Sequence, residues 1–139
     1  MLHEIKHRHV PIVGGGAGVW SFIHIDDVAR ATLAAVERGR PGIYNIVDDD
    51  PAPVSEWLPF LARTLGAKPP LRLLAWVARL VIGEHGVAMM TQSRGASNHK
   101  AKSELGWTPM WTSWRDGFRD GLSESVTSRR TAERQEIAI

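Results

Sequence analysis

The sequence predicts a mixed α/β fold, one βαβ unit followed by several helices, and three observations carry that expectation. Val19 to Ile25 alternates in character between a glycine loop and an Asp pair, with Trp20, Phe22 and His24 on one face, the pattern of a strand. Apolar residues then recur at helical spacing through Val28, Ala29, Leu33 and Val36 until Glu37-Arg38-Gly39 closes the helix. A second β-favouring run, Ile43 to Val47, follows the Pro41-Gly42 turn, and a helix of about three turns between two strands suggests a parallel crossover.

The remaining elements follow in order. Residues 1–9 form a basic, histidine-rich start, Val10 to Val13 is a short apolar run, and Gly14 to Gly18 reads as a hairpin loop. Asp26 is placed to cap the first helix. Ser55 caps the next, which carries Trp57, Leu58, Leu61 and Leu65, has Pro59 in about its first turn, and stops at Gly66. Leu73 to Ile82 is apolar on nearly all sides, so it is expected to be a buried helix. Two short helices flank Leu105 to Pro109, the second running from Ser113 to Leu122. Residues 10–122 thus make the folded portion, and the polar, charge-balanced residues 123–139 read as a frayed tail.

Composition narrows the function classes. A chain of 139 residues is long enough for one domain with a real core and too short for two. Seventeen basic and fifteen acidic side chains leave a formal charge of +2, which argues for neither nucleic acid nor an anionic membrane as partner. The absence of cysteine excludes disulfides and thiolate metal sites and fits a reducing cytoplasm. The start of the chain lacks the apolar core of a signal peptide, and Leu71 to Gly83 is too short to span a bilayer and carries Arg72 and Arg79. A cytoplasmic protein is expected.

Tests for chemistry are mostly negative. A dinucleotide fingerprint begun at Gly14 needs a small residue where Val19 stands, and one begun at Gly16 needs it where Ser21 stands. A strand, not a helix, follows the loop. Short-chain redox chemistry needs a Tyr with a Lys four residues on, but Tyr44 is the one tyrosine and is followed there by Asp48. Ser21, His24 and Asp27 are near in sequence, yet Ser21 and His24 fall on opposite faces of the strand, which disfavours a triad. His24 reads instead as a half-buried histidine bonded to backbone. His3, His7 and His9 lack a third ligand context, and Asp48-Asp49-Asp50 lacks the Gly and distal Glu of a calcium loop. Trp57, Trp76 and Trp107 sit in apolar patterns and read as core residues, with Trp20, Trp111 and Trp114 less clearly placed.

Three stretches, taken together, carry a resemblance. Trp20 to Ala29 is similar to an S-F-I-H-V-D-D-V-A segment, and Ile43 to Val47 with Val54-Ser55 is similar to a Y-N-V-G…V-S element. Ser97 to Ala101 with Glu104 to Pro109 is similar to a closing S-x-K-A-x-x-E-L-G-W-x-P signature. In order, over about residues 10–121, they resemble the C-terminal part of extended short-chain dehydrogenase/reductases, the NAD-dependent epimerase/dehydratase family.

The resemblance implies the substrate-side portion of an extended Rossmann-type enzyme, lacking the dinucleotide-binding half and the Tyr/Lys pair, with no catalytic or cofactor-binding residue of its own. NAD or NADP is implied for a full-length family member, with none expected to bind this chain alone. Trp20, Ser21 and Phe22 are the implied substrate-side residues. The implied partners are a sugar, a nucleotide sugar or a less polar carbonyl or alcohol, and either the missing half or a separate NAD(P)-binding subunit. Family relatives often form homodimers. A stand-alone binding or regulatory module is the alternative. The family's nucleotide-sugar epimerases usually carry an Arg where Trp20 stands, which puts a charged nucleotide sugar in doubt, and Lys100 corresponds to a helix lysine read as structural. By the same analogy Val28, Leu33 and Ile43 to Val47 would lose their cover in the isolated chain.

Overall fold

Small side chains pack the first helix against the last stretch of the core. In the computed structural model, which describes residues 4–5 and 9–121, helix α1 (Ile25–Arg38) buries Ala31 and Ala34 against Ala101 and Leu105 of helix α4 (His99–Leu105), with Trp107 beside them. Alanines at the contact let the two helices approach closely. Helix α2 (Val54–Thr64) supplies the largest core cluster, where Trp57, Leu58 and Leu61 meet Ile12, Val54 and Trp114. Trp57 and Leu58 are fully buried, each worth about 1.5–3 kcal/mol of apolar transfer.

Among the described residues four strands of two residues each hold the helices in place: β1 (Ile12–Val13), β2 (Val19–Trp20), β3 (Ala52–Pro53) and β4 (Arg72–Leu73). β1 pairs with β4 in parallel and β2 with β3 antiparallel, while Val19 also bridges Arg94. The mixed α/β class therefore holds, but the expected crossover is not formed. Only Val19–Trp20 of the Val19 to Ile25 run is paired, and Ile43 to Val47 lies outside any strand. One backbone bond, from the Asp48 N–H to the Phe22 carbonyl, links the two runs (2.7 Å). A β-favouring segment becomes a strand only beside a paired neighbour, and no such neighbour is found among the described residues. The glycine turn is likewise no hairpin, because β1 and β2 pair with other strands.

Helix boundaries differ in instructive ways. The first helix begins at Ile25 with His24 as its cap, its Nδ1 accepting from the Asp26 N–H (3.3 Å), so Asp26 lies in the first turn. α2 starts at Val54 after Pro53, with Ser55 inside it and Pro59 in its second turn. Helix α3 (Ala75–Thr91) is broken at Gly83, whose φ of 71° suits glycine. It is not a buried helix: Trp76, Leu80 and Val81 are exposed, and Ala78 and Val87 alone are buried. Apolar residues on all sides predict burial only where layers lie on both faces, and β1 lies against one. Helix α5 (Trp114–Asp116) continues into a π-helical turn, Gly117–Gly121. No helix among the described residues is long and apolar enough to cross a membrane. Most of the histidine-rich start, Leu122 and the 123–139 tail lie outside the described residues.

Candidate functional site

Two concavities lie along the chain from Val19 to Ile25, with Trp20 and Ser21 lining one and Phe22 the other. The first is an open groove of about 530 Å³ between β2, the end of α3 and the Ser93 to Ala96 loop. Its walls are tied together by hydrogen bonds: Gly18 N–H to the Met90 carbonyl (3.0 Å) and Val19 N–H to the Ser93 carbonyl (2.7 Å). The Trp20 indole N–H donates to the Met89 carbonyl (3.0 Å), and the Ser21 hydroxyl accepts from the Ala96 N–H (2.8 Å). Glycine is required at two of these joints. A Cβ at Gly18 would stand 2.5 Å from the Met89 oxygen, and one at Gly95, where φ is +70°, would press on Val19 and Pro51. Trp20 is backed by Trp57 at 4.9 Å between ring centroids. Arg94, exposed at the rim, makes no ion pair among the described residues.

The second concavity, about 240 Å³, is aromatic, with Phe22, Trp111, Trp114 and Phe118 on its walls and Asp48 among its lining residues. Phe22 stands edge-on to both Trp57 (5.4 Å) and Phe118 (5.3 Å). Burial pushes the Asp48 carboxyl up to about 6, although the backbone N–H groups of Asp50, Trp114 and Phe22 act against the rise. Its Oδ2 has no hydrogen-bond partner among the described residues, while Oδ1 accepts from the Asp50 N–H (3.3 Å). Asp49 behaves oppositely. Burial raises it, but the Asn98 amide and the Lys102 ammonium, 2.6 Å away, prevail and hold it below the usual carboxylate range.

The remaining candidates are spread across separate duties. Ser21 is bound to the Ala96 backbone, His24 caps α1 and stacks on Trp111 (4.7 Å), and Asp27 is fully buried. Asp27 accepts from the Met110 and Trp111 N–H groups (2.8 and 2.9 Å) and from Arg30, so these three residues form no triad. Tyr44 donates to Glu104 (2.9 Å) under the Lys100 ammonium, which lies 4.6 Å from its ring and donates to the Ile43 carbonyl. His9 meets Glu4, and His3 and His7 lie outside the described residues; among the described residues no group of metal-binding side chains is found. Trp57, Trp107 and Trp114 are buried, but Trp76, expected in the core, is exposed.

The glycine turn does not suit a dinucleotide. The Cβ position of Gly16 lies 2.7 Å from Ile12 Cγ2 and 2.9 Å from the Ser55 nitrogen, so its freedom is used for packing within the chain. A β-strand follows it, and the first N–H groups of α2, those of Val54 and Ser55, are already donated to the Gly18 and Gly16 carbonyls (2.9 and 3.0 Å) and so are spent before a pyrophosphate could meet them. Met89 and Arg94 are groove residues that the sequence reading missed. Met89 lies 69 positions from its partner Trp20, and the sole local signal was Ser93-Arg94-Gly95 just before the recognised Ser97 signature.

The family model described as "NAD dependent epimerase/dehydratase family" matches residues 1–47. The chain is similar to a 3-diazoavenalumate denitrifying reductase from a Streptomyces species, with 48% identity over 108 residues covering 78% of this chain and 36% of the relative. It is also similar to a UDP-glucose 4-epimerase from Corynebacterium glutamicum, with 33% identity covering 72% of this chain and 28% of the relative. The chain thus spans about a third of the length of these curated relatives. In fold it matches a human epimerase family protein crystallised with NADPH, with a TM-score of 0.72 and 20% identity over 86% of this chain and 41% of that one.

Proposed function

Because the chain belongs to the NAD dependent epimerase/dehydratase family, we propose that it forms the substrate-side wall of an NAD(P)-dependent epimerase, dehydratase or reductase and needs a dinucleotide-binding portion for chemistry. One observation carries this reading. Ile25, Leu33 and Val36 of α1, with Ile43 beyond it, are 72%, 60%, 81% and 85% exposed, a row of large apolar side chains turned away from the α1–α4 contact. Among the described residues, no backbone N–H from Ile43 to Val47 donates to another backbone group. An apolar helix face beside an open backbone edge is the surface a sheet would cover.

In this arrangement the groove beside Trp20 and Ser21 receives a small molecule: a sugar, a nucleotide sugar or a less polar carbonyl or alcohol. Phe22 supports it from behind through Trp57. NAD or NADP, held by the other portion, would supply hydride transfer when bound. The side chains of this chain orient the substrate and exclude water, and no proton transfer is assigned to them.

Analytical size exclusion of the chain with a separately expressed dinucleotide-binding portion of the Streptomyces reductase tests this. Co-migration is expected, with Val36→Asp abolishing it while leaving the chain folded. A self-associated chain would appear as a dimer in the control run. No association tighter than about 10 μM, together with cooperative unfolding and no dye binding, would favour a stand-alone binding or regulatory module. The self-contained core around Trp57 and Leu58 speaks for that second reading.

A further inference from the structure

From the aromatic pocket around Phe22 we infer a second ligand site, one that takes a small primary or secondary alkylammonium ion. The pocket shares no lining residue with the groove beside Trp20, so the inference does not depend on how that groove is read. Phe22, Trp111, Trp114 and Phe118 form its walls, and Asp48 is the one Asp, Glu, Lys or Arg among its described lining residues. Asp48 is 3% exposed, and its buried Oδ2 accepts from no donor among the described residues. The neighbouring charge that acts on it, Asp50, has the same sign. The Ser113 hydroxyl is engaged, donating to Asp50 (2.6 Å) and accepting from the Arg115 N–H (3.2 Å). Arg115 itself donates to Asp50 and Glu56. His24 accepts the Asp26 N–H at Nδ1. Two kinds of group are left for a ligand among the described residues: the Asp48 oxygen, and ring N–H donors on His24, Trp111 and Trp114.

The carboxylate decides the sign of the ligand. Neutral ring donors alone would welcome an anion, but a second negative charge beside Asp48 is repelled, and more strongly as water is excluded. A buried charge without a partner costs more than an unmade neutral hydrogen bond, so a group that answers Asp48 gains more than one that answers the indoles. The walls favour the same sign. A cation within about 6 Å of an aromatic ring is drawn to its electron-rich face, and Trp114 already holds the Arg115 guanidinium in this way, 4.2 Å from its centroid. A primary or secondary ammonium also carries an N–H to donate to Oδ2, which a quaternary one lacks. Size sets the rest. The volume of about 240 Å³ lies below the roughly 300–1,000 Å³ of ordinary small-molecule sites, so a compact hydrocarbon body fits and a nucleotide does not.

Isothermal titration of the 139-residue chain with cyclohexylamine, cyclohexanol, cyclohexanecarboxylate and tetramethylammonium at about pH 8 tests the inference. At that pH Asp48, raised by burial to about 6, is ionised. The amine is expected to bind at least about tenfold more tightly than the alcohol or tetramethylammonium, and the carboxylate not measurably. Asp48→Asn keeps the shape of the side chain and removes its charge, so it should bring the amine down to the affinity of the alcohol. Phe118→Leu leaves Asp48 in place and should weaken the amine more than the alcohol, which decides the matter if the Asn variant does not fold. Equal binding of amine and alcohol, tetramethylammonium as tight as the amine, or preference for the carboxylate would each overturn the inference. So would an amine preference that survives in folded Asp48→Asn, or no binding of the amine at all. Association with a dinucleotide-binding portion involves the Leu33 and Val36 face, and its outcome leaves this inference untouched.

Discussion

Asp48 is the residue whose environment departs most from its sequence context. As one of three consecutive aspartates it looks like part of a solvated loop, yet it is 3% exposed and its carboxyl is raised from 3.8 to about 6 by burial. The folded state therefore binds the Asp48 proton more tightly than the unfolded chain does. The resulting stability is fully present below about pH 4 and is lost as pH rises through about 6, about 3 kcal/mol in all. Asp49, held low, acts in the opposite direction and only as its own proton is added below about pH 4. Thermal melts of the wild type and Asp48→Asn from pH 4 to 7.5 should diverge, the variant gaining relative stability with rising pH. Parallel curves would contradict the burial account. Gly18 is a second residue-scale case. Ala there would drive a methyl to 2.5 Å from the Met89 carbonyl oxygen, so Gly18→Ala should cost about 2 kcal/mol or more in urea denaturation. A neutral result would show that the β2–α3 joint is loose.

At the scale of elements, what could be read along the chain was the run of helices, and what could not was the pairing. The span of α1 was legible because Val28, Leu33 and Val36 recur at helical spacing and Gly39 ends them. Its cap was not, because His24 looks like a strand residue until the backbone turns at Ile25. The strands were overextended because alternation shows which residues favour a pleated surface and says nothing of whether a partner lies alongside. Trp20 and Ser21 could be singled out by resemblance, but the groove they line is closed by Met89 and Arg94, which only the tertiary fold brings to β2. Asp27 is the tie that fixes α1 to the following loops, accepting from the N–H groups of Met110 and Trp111. Asp27→Ala would strand both donors in the interior and should cost about 3 kcal/mol or more, with Asp27→Asn recovering part of the loss by keeping one acceptor. A loss below about 1 kcal/mol in the alanine variant would mean that the 110–111 loop is held by other contacts.

For the whole molecule, the balance between covered and uncovered apolar surface is the central feature. Trp57, Leu58, Leu105 and Ala101 are completely enclosed, while Leu33, Val36 and Ile43 stand open on one side. Uncovered apolar area of this kind forgoes about 25 cal/mol for each Å² that a partner could bury. The account therefore holds that α1 and the segment after it are half of an interface. Hydrogen exchange of the chain, alone and mixed with the dinucleotide-binding portion of the Streptomyces relative, tests that claim most directly. Protection should appear on mixing in the amides of Ile43 to Val47, which donate to no backbone acceptor among the described residues, and it should vanish in Val36→Asp. Unchanged exchange across residues 25–47, or protection confined to the groove at Trp20, would contradict it.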